Sequence, residues 1–316
     1  TENEWDKIAA EILPLYLKAK NGDEEMKQLF DKIAIALEEF DTKKAVAENE
    51  TIIHKIALSD GVIEYKGKGA VQGDLLNQFS LDEKDGYLRI ATNLSIWVSK
   101  SIVTNNVFVL DSDMKEVGKL TDIARDERIE AARFLGNKLY LVTFLRKDPF
   151  FVIDLSNPSA PIVQGELKLP GFSQYLHPLD ETHIIGIGMD ATEEGRTTGL
   201  KVALFDVSNP SNPTVVKTIT FGEEGSYSEV LNDHKAFLLS NAKDKMVLPI
   251  SEVQRREKIG EYNYRTTSWS GAVVFSISPS DLKEIGRVEH SMQEQDYYSW
   301  WNTSNVLRSL YLDNKL

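Results

Sequence analysis

Two eight-residue phrases of this chain nearly coincide: DLSNPSAP at 154–161 and DVSNPSNP at 206–213. Each follows an apolar run (FFVI, VALF) and precedes a β-branched one, and a phrase that returns after roughly 50 residues in one strand–turn–strand setting marks a repeat architecture. The phrase has a direct structural account. Asp154 or Ser156 can accept from backbone amides two residues on, Pro158 fixes φ at the second turn position, and Pro161 opens a strand where no ladder donor is needed. Asp206, Ser208, Pro210 and Pro213 repeat the pattern one unit later. A cation held by the Asp and the turn carbonyls is the alternative, but Asx-turn chemistry already uses every residue of the phrase.

With the phrases as a ruler, four copies of a four-strand unit, a to d, fall into register. The first takes LLNQFS, YLRIAT, NVFVL and EVGKL (75–120), and the second IEAARF, LYLVTF, FFVIDL and PIVQGEL (129–167). The third takes SQYLHP, HIIGIGM, LKVALFDV and TVVKTITF (173–221), and the fourth YSEVL, KAFLLS, GAVVFSI and EIGRVEH (227–290). Before them IIHKIALSDGVIEYKGKG matches strands c and d only, and after them VLRSLYLDNKL matches strand a and the start of b. Two half-units that complete one blade remove the exposed edges of a ring. The expectation is an all-β propeller of four-stranded blades, about five visible, one completed by both ends of the chain. The competing expectation is a longer protein that supplies further blades; a chain that opens on Thr1 looks processed, trimmed or excerpted.

Residues 1–50 read differently. Trp5, Ile8, Ile12 and Leu15, then Met26, Leu29, Phe30, Ile33 and Leu37, recur at spacings of three and four, which predicts an N-terminal α-helical hairpin packed on a neighbouring surface. Asn21-Gly22-Asp23 supplies the break, and Pro14 is expected to bend or end the first helix. The domain division that follows is 1–50 helical and 51–316 propeller.

Composition removes several functions. A net charge of −13 and a pI near 5.0 disfavour nucleic acid, whose backbone is bound by clustered Lys and Arg. The absence of cysteine excludes disulfides, thiolate metal sites and a cysteine nucleophile. No apolar run is long enough for a membrane span, and TENEWDK is not a signal peptide. No nucleophile elbow, zinc-protease motif or phosphate loop is present, and nothing calls for a cofactor.

Candidate sites remain. His177, Asp180, Glu181 and His183 crowd seven residues and are candidate metal ligands, although Pro178 and Asp180-Glu181-Thr182 suit an a–b turn, and Asp233-His234 recurs in the equivalent place. LDEKDG (81–86) is another hairpin turn rather than a calcium loop. The long inserts 93–105, 190–198 and 241–268 all fall between strands b and c, and b–c and d–a connections share one face of a propeller. That face is expected to carry Trp97, Tyr262, Tyr264, Trp269, Tyr297, Tyr298, Trp300 and Trp301 as aromatic anchors, or as wedges between blades. Arg255, Arg256 and Lys258 in the longest insert are candidates for binding an anionic group. Asn49, Asn93 and Asn302 begin N-glycosylation patterns in expected loops.

The segments YLHPLDETHIIGIG (175–188), FSLDEKDGYLRIAT (79–92), VFVLDSDMKEVGKL (107–120), NDHKAFLLS (232–240) and WSGAVVFSIS (269–278) resemble archaeal and bacterial secreted proteins that carry a C-terminal β-propeller domain distantly related to WD-type repeats. The DxSNPSxP phrases resemble LVIVD-type propeller repeats. The likeness runs from about Thr51 onward and is only one of placement and character for the helical part. It implies an extracytoplasmic (extracellular or cell-surface) propeller, often within a longer chain that has a secretory or anchoring segment. It implies no established activity, so no catalytic residues carry over. The function expected is a binding scaffold for a protein, peptide or carbohydrate partner, or for a missing part of its own chain, acting through the b–c/d–a face. The alternative is a hydrolase or lyase, metal-assisted, at the mouth of the channel.

Overall fold

Adjacent residues in the central strands point to opposite sides, and here both sides are apolar, so every sheet needs a neighbour on each face. The computed structural model, which describes residues 2–144, 148–258, 264–295 and 306–310, meets this need by stacking sheets in chain order. Helices α1 (Glu2–Lys20) and α2 (Glu24–Glu48) lead into a hairpin of β1 (Glu50–Ser59) and β2 (Val62–Gln72). Blade one follows with β3 (Leu81–Lys84), β4 (Tyr87–Trp97), β5 (Ser101–Leu110) and β6 (Glu116–Ile123), and blade two with β7 (Arg128–Leu135), β8 (Lys138–Phe144), β9 (Asp148–Asp154) and β10 (Ile162–Leu169). Blade three has β11 (Phe172–Pro178), β12 (His183–Ala191), β13 (Thr197–Asp206) and β14 (Thr214–Phe221). Blade four has β15 (Leu238–Leu239), β16 (Lys245–Lys258), β17 (Tyr264–Ser278) and β18 (Asp281–Gln295). Each blade is antiparallel and keeps its strands in sequence order.

The core lies between blades. On β8, Leu139 and Leu141 join Ala91 and Val107 of blade one, while Tyr140 and Val142 join Leu176, Ile184 and Phe205 of blade three. On β12 the neighbours Ile184 and Ile185 likewise divide, Ile185 meeting Met246, Leu248 and Phe275 of blade four. The Phe150 and Phe205 rings stack at 4.7 Å across the second of these interfaces. Each such side chain contributes about 1.5–3 kcal/mol by leaving water.

The c–d turns lock neighbouring blades together. Asp154 accepts from the Ser156 amide at 2.8 Å and Asn157 from Ser159 at 3.1 Å; Asp206 and Asn209 repeat both bonds at 2.8 and 3.2 Å. The Ser208 hydroxyl and amide hold the Asp206 carboxylate below its ordinary range. Pro158 and Ser159 lie over Gly118 of blade one, and Pro210 lies over Gly165 of blade two, so closely that a Cβ at either glycine would overlap the proline carbonyl oxygen. The blade-one turn reaches back to the hairpin in the same manner, with the Met114 carbonyl oxygen 2.7 Å from where a Gly69 Cβ would stand.

The all-β propeller and the two N-terminal helices are as expected, but several details differ. In unit four YSEVL forms a 3-10 turn (Glu229–Leu231) and KAFLLS contributes only the two-residue β15, so the segment read as a b–c loop, 241–268, holds strand b itself. In unit one Gln78–Ser80 is likewise a 3-10 turn, and strand a begins at Leu81, with the hairpin turn confined to Asp85-Gly86, both at positive φ. The insert 93–105 is mostly ladder, β4 pairing with β5 as far as Trp97 and Ser101. Val306–Leu310, expected to begin a strand, is irregular, and 311–316 lie outside the described residues. Asn93 is not in a loop: its amide donates to Asn105 at 2.9 Å, so no glycan fits there, and Asn302 lies outside the described residues. Helix α1 continues through Pro14, which removes one internal hydrogen bond without ending it. Asp23 caps α2 by accepting from the Met26 amide at 3.1 Å.

If turn and glycine set the blade spacing, Gly165→Leu must push Pro210 away. It is expected to lower the unfolding free energy by about 1–3 kcal/mol, read by urea denaturation, with Gly286→Leu, where φ is not positive and a Cβ meets nothing within 4 Å, as a control for substitution at glycine.

Candidate functional site

The innermost strand of every blade is interrupted at one level. In blade two the register between β7 and β8 shifts at Glu130, and in blade three the register between β11 and β12 shifts at Gln174. In blades one and four the interruption is larger: Gln78–Ser80 in the first, Glu229–Leu231 and His234–Ala236 in the fourth, are 3-10 turns in place of strand. Such irregularities turn polar side chains out of the ladder. Here they surround a central cavity of about 320 Å³ lined by Asn77, Gln78, Phe79, Gln174, Asn232 and His234 among others.

The polar groups of this collar are tied to one another across blades. Gln174 donates to Glu130 at 3.4 Å, and the Gln78 amide stands 3.3 Å from a ring nitrogen of His234. Asn232 donates to the Tyr227 hydroxyl at 2.7 Å, which donates to Glu229 at 3.2 Å. Arg133 of blade two donates to the Leu176 carbonyl of blade three at 2.8 Å and lays its guanidinium 3.8 Å from the centre of the Phe79 ring of blade one. Tyr175 and His177 share a hydrogen bond of 2.9 Å, and His177 packs 4.3 Å from Phe237. Burial, helped by the charges of Arg133 and Lys243, pushes His177 down to about 4, so it is neutral at pH 7. Burial pushes the Glu130 carboxyl up, against the Gln174 hydrogen bond and the charge of Arg128. The collar can therefore donate and accept hydrogen bonds to a neutral polar chain.

The residues singled out from sequence are mostly elsewhere. Trp97 ends β4 and is 75% exposed, next to the turn where the Ser99 hydroxyl bonds Glu38 of α2. Trp269 is not a surface anchor: it is only 4% exposed in the blade-three/four core, with Arg287 4.9 Å from its ring, because the long β16–β17 ladder carries it inward. Arg255 is exposed and paired with Glu257, Arg256 lies opposite Thr266 in the β16–β17 ladder, and Lys258 ends β16. Tyr262, Tyr297, Tyr298, Trp300 and Trp301 lie outside the described residues. Of the metal candidates, His183 pairs with Asp180 at 3.0 Å around the turn and His177 is engaged with Tyr175; Glu181 joins neither, and no three His, Cys, Asp or Glu among the described residues are grouped to hold an ion. The collar itself was missed. Its signal was the weak alternation of LLNQFS and YSEVL and the polar Glu130 and Gln174 at matching places in two strands otherwise apolar at their centres.

The depressed His177 gives a test of this packing. A base whose folded value lies below its unfolded one supports folding above pH 6.5 and loses that support as pH falls through about 4. His177→Gln, which still accepts from Tyr175, is expected to flatten the fall of melting temperature between those pH values relative to the parent, with no change of slope above pH 7.

A family model described as "Beta propeller domain" matches residues 14–316, α2 included. An uncharacterized protein of Methanocaldococcus jannaschii is 38% identical over 248 residues, 78% of this chain and 34% of that protein. An uncharacterized protein of Archaeoglobus fulgidus is 40% identical over 236 residues, 75% of this chain and 35% of that protein. The chain thus spans about a third of the length of these curated relatives. Among solved structures, the β-propeller domain of the Trilobed protease from Pyrococcus furiosus aligns with a TM-score of 0.35 at 12% identity, over 66% of this chain and 56% of that one. On the extent of the family match, this chain belongs to the beta propeller domain family.

Proposed function

We propose that this chain is an extracytoplasmic recognition scaffold that holds a protein partner on the side where the b–c arms emerge. One observation carries the reading. Leu29, Ile33, Leu37 and Phe40 form a stripe along α2 that stays exposed among the described residues, Phe40 at 64%, and α2 buries no residue at all. The Ser99–Glu38 hydrogen bond ties α2 to the turn just beyond Trp97, so an exposed aliphatic stripe and an exposed indole are both presented at that arm. Patches of this kind are where soluble proteins meet partners.

The collar supports the same role. Its Asn77, Gln78, Gln174 and Asn232 amides suit a polar loop of a partner reaching into the cavity. Catalysis is not part of the proposal. The likeness to secreted proteins supports the extracytoplasmic location, and the DxSNPSxP turns support a finer kinship with LVIVD-type and WD-type repeats.

The test is a photo-crosslinking residue placed at Trp97 or Phe40 in the native cell, with exposed Thr218 as a control. Both patch positions are expected to yield one common adduct that Thr218 does not, and Leu37→Glu is expected to abolish it without changing the melting temperature. Adducts at all three positions, or at none, sink the reading. Recovery of the protein in the cytoplasmic fraction sinks the extracytoplasmic part alone.

A further inference from the structure

Gly286 stands in β18 at a position the other blades define. In each blade strand d carries an extra residue near its start, and the residue just after it pairs with strand c: Gly118 with Val109, Gly165 with Val152, Lys217 with Leu204, Gly286 with Val274. At Gly118 and Gly165 glycine is required because the seven-residue c–d turn of the next blade, 155–161 or 207–213, lies on it. At Lys217 no glycine is needed, since the blade that follows has a two-residue c–d turn, Pro279-Ser280.

Gly286 is the exception that calls for an occupant. No positive φ requires glycine there, unlike Gly67 of the hairpin at +145°, and a Cβ would meet nothing within 4 Å. Its neighbours Ile285 and Val288 are exposed, Val288 at 62%. The β1–β2 hairpin is not the matching part, because its turn is only Asp60-Gly61, as short as the one that faces Lys217.

We propose that the Gly286 face is the seat of a further propeller unit of the same polypeptide, whose c–d turn is of the seven-residue Asp-x-Ser-Asn-Pro kind. Such a turn would lie on Gly286 as Pro158 and Pro210 lie on Gly118 and Gly165, and the rest of its sheet would cover Ile285 and Val288. The same polypeptide is the source because the relatives are about three times as long as the part this chain spans, which leaves ample length for further units. The repeat makes the contact continuous with three already present, at Gly69, Gly118 and Gly165.

The chain has no cysteine, so a single introduced thiol reports on this face alone. Gly286→Cys and, separately, Val288→Cys are treated with a small maleimide in this 316-residue chain and in the whole polypeptide that its gene encodes, and the site is read by peptide mass. Both thiols are expected to react freely in the former and at least about tenfold more slowly in the latter. Gly286→Leu is expected to leave the melting temperature of the 316-residue chain unchanged and to lower that of the whole polypeptide. Equal labelling in the two forms overturns the proposal. Protection that appears in the 316-residue chain as its concentration rises also overturns it, because a second copy is then the occupant.

Discussion

Everything in this molecule follows from strands that are apolar on both sides. A sheet with one apolar face can rest on a single partner, but Leu139, Tyr140, Leu141 and Val142 in succession need two. Sheets of this kind stack, and the cores lie in the seams rather than at one centre. Between blades one and two and between blades two and three the spacing is then set by main chain against main chain, through prolines seated on glycines. Those contacts tolerate no side chain, so blade separation is held more tightly than apolar packing alone would hold it.

The same stacking leaves the innermost strands crowded around a channel, and there regular pairing gives way in all four blades. What the interruptions provide is polarity: the amides of Asn77, Gln78, Gln174 and Asn232 and the His234 ring stand in a wall that strict alternation would have kept apolar. The outer arms follow a different logic. β4–β5 and β16–β17 extend their ladders beyond the blade, which satisfies their backbone groups far from any core and carries side chains such as Trp97 into solvent.

Sequence reasoning reached the architecture because the turn phrase carries its own register. Units two and three, which contain DxSNPSxP, have their four strands where the phrase puts them. Unit four has no such phrase; its c–d turn is Pro279-Ser280, and the reading placed strand b at KAFLLS (235–240), ten residues before β16 begins at Lys245. Long ladders outside a core are also hard to see, since a solvated strand such as EVQRREK shows little apolar alternation. Trp269 was misplaced for that reason: counted as a loop aromatic, it is a strand residue facing blade three. The helical stripe was read well and its packing was not, because amphipathicity records that a face wants cover without naming what covers it. The collar depends on interruptions that bring distant polar residues to one level, and no local pattern reports such a meeting.

Arg133 ties three blades with one side chain. It belongs to blade two, yet it donates to a backbone carbonyl of blade three and lies over an aromatic ring of blade one. A guanidinium is planar and permanently charged, and it offers donors along its edge and a stacking face at once, so one residue serves two neighbours by two different interactions. A change at this single position is therefore felt at two seams and not at one.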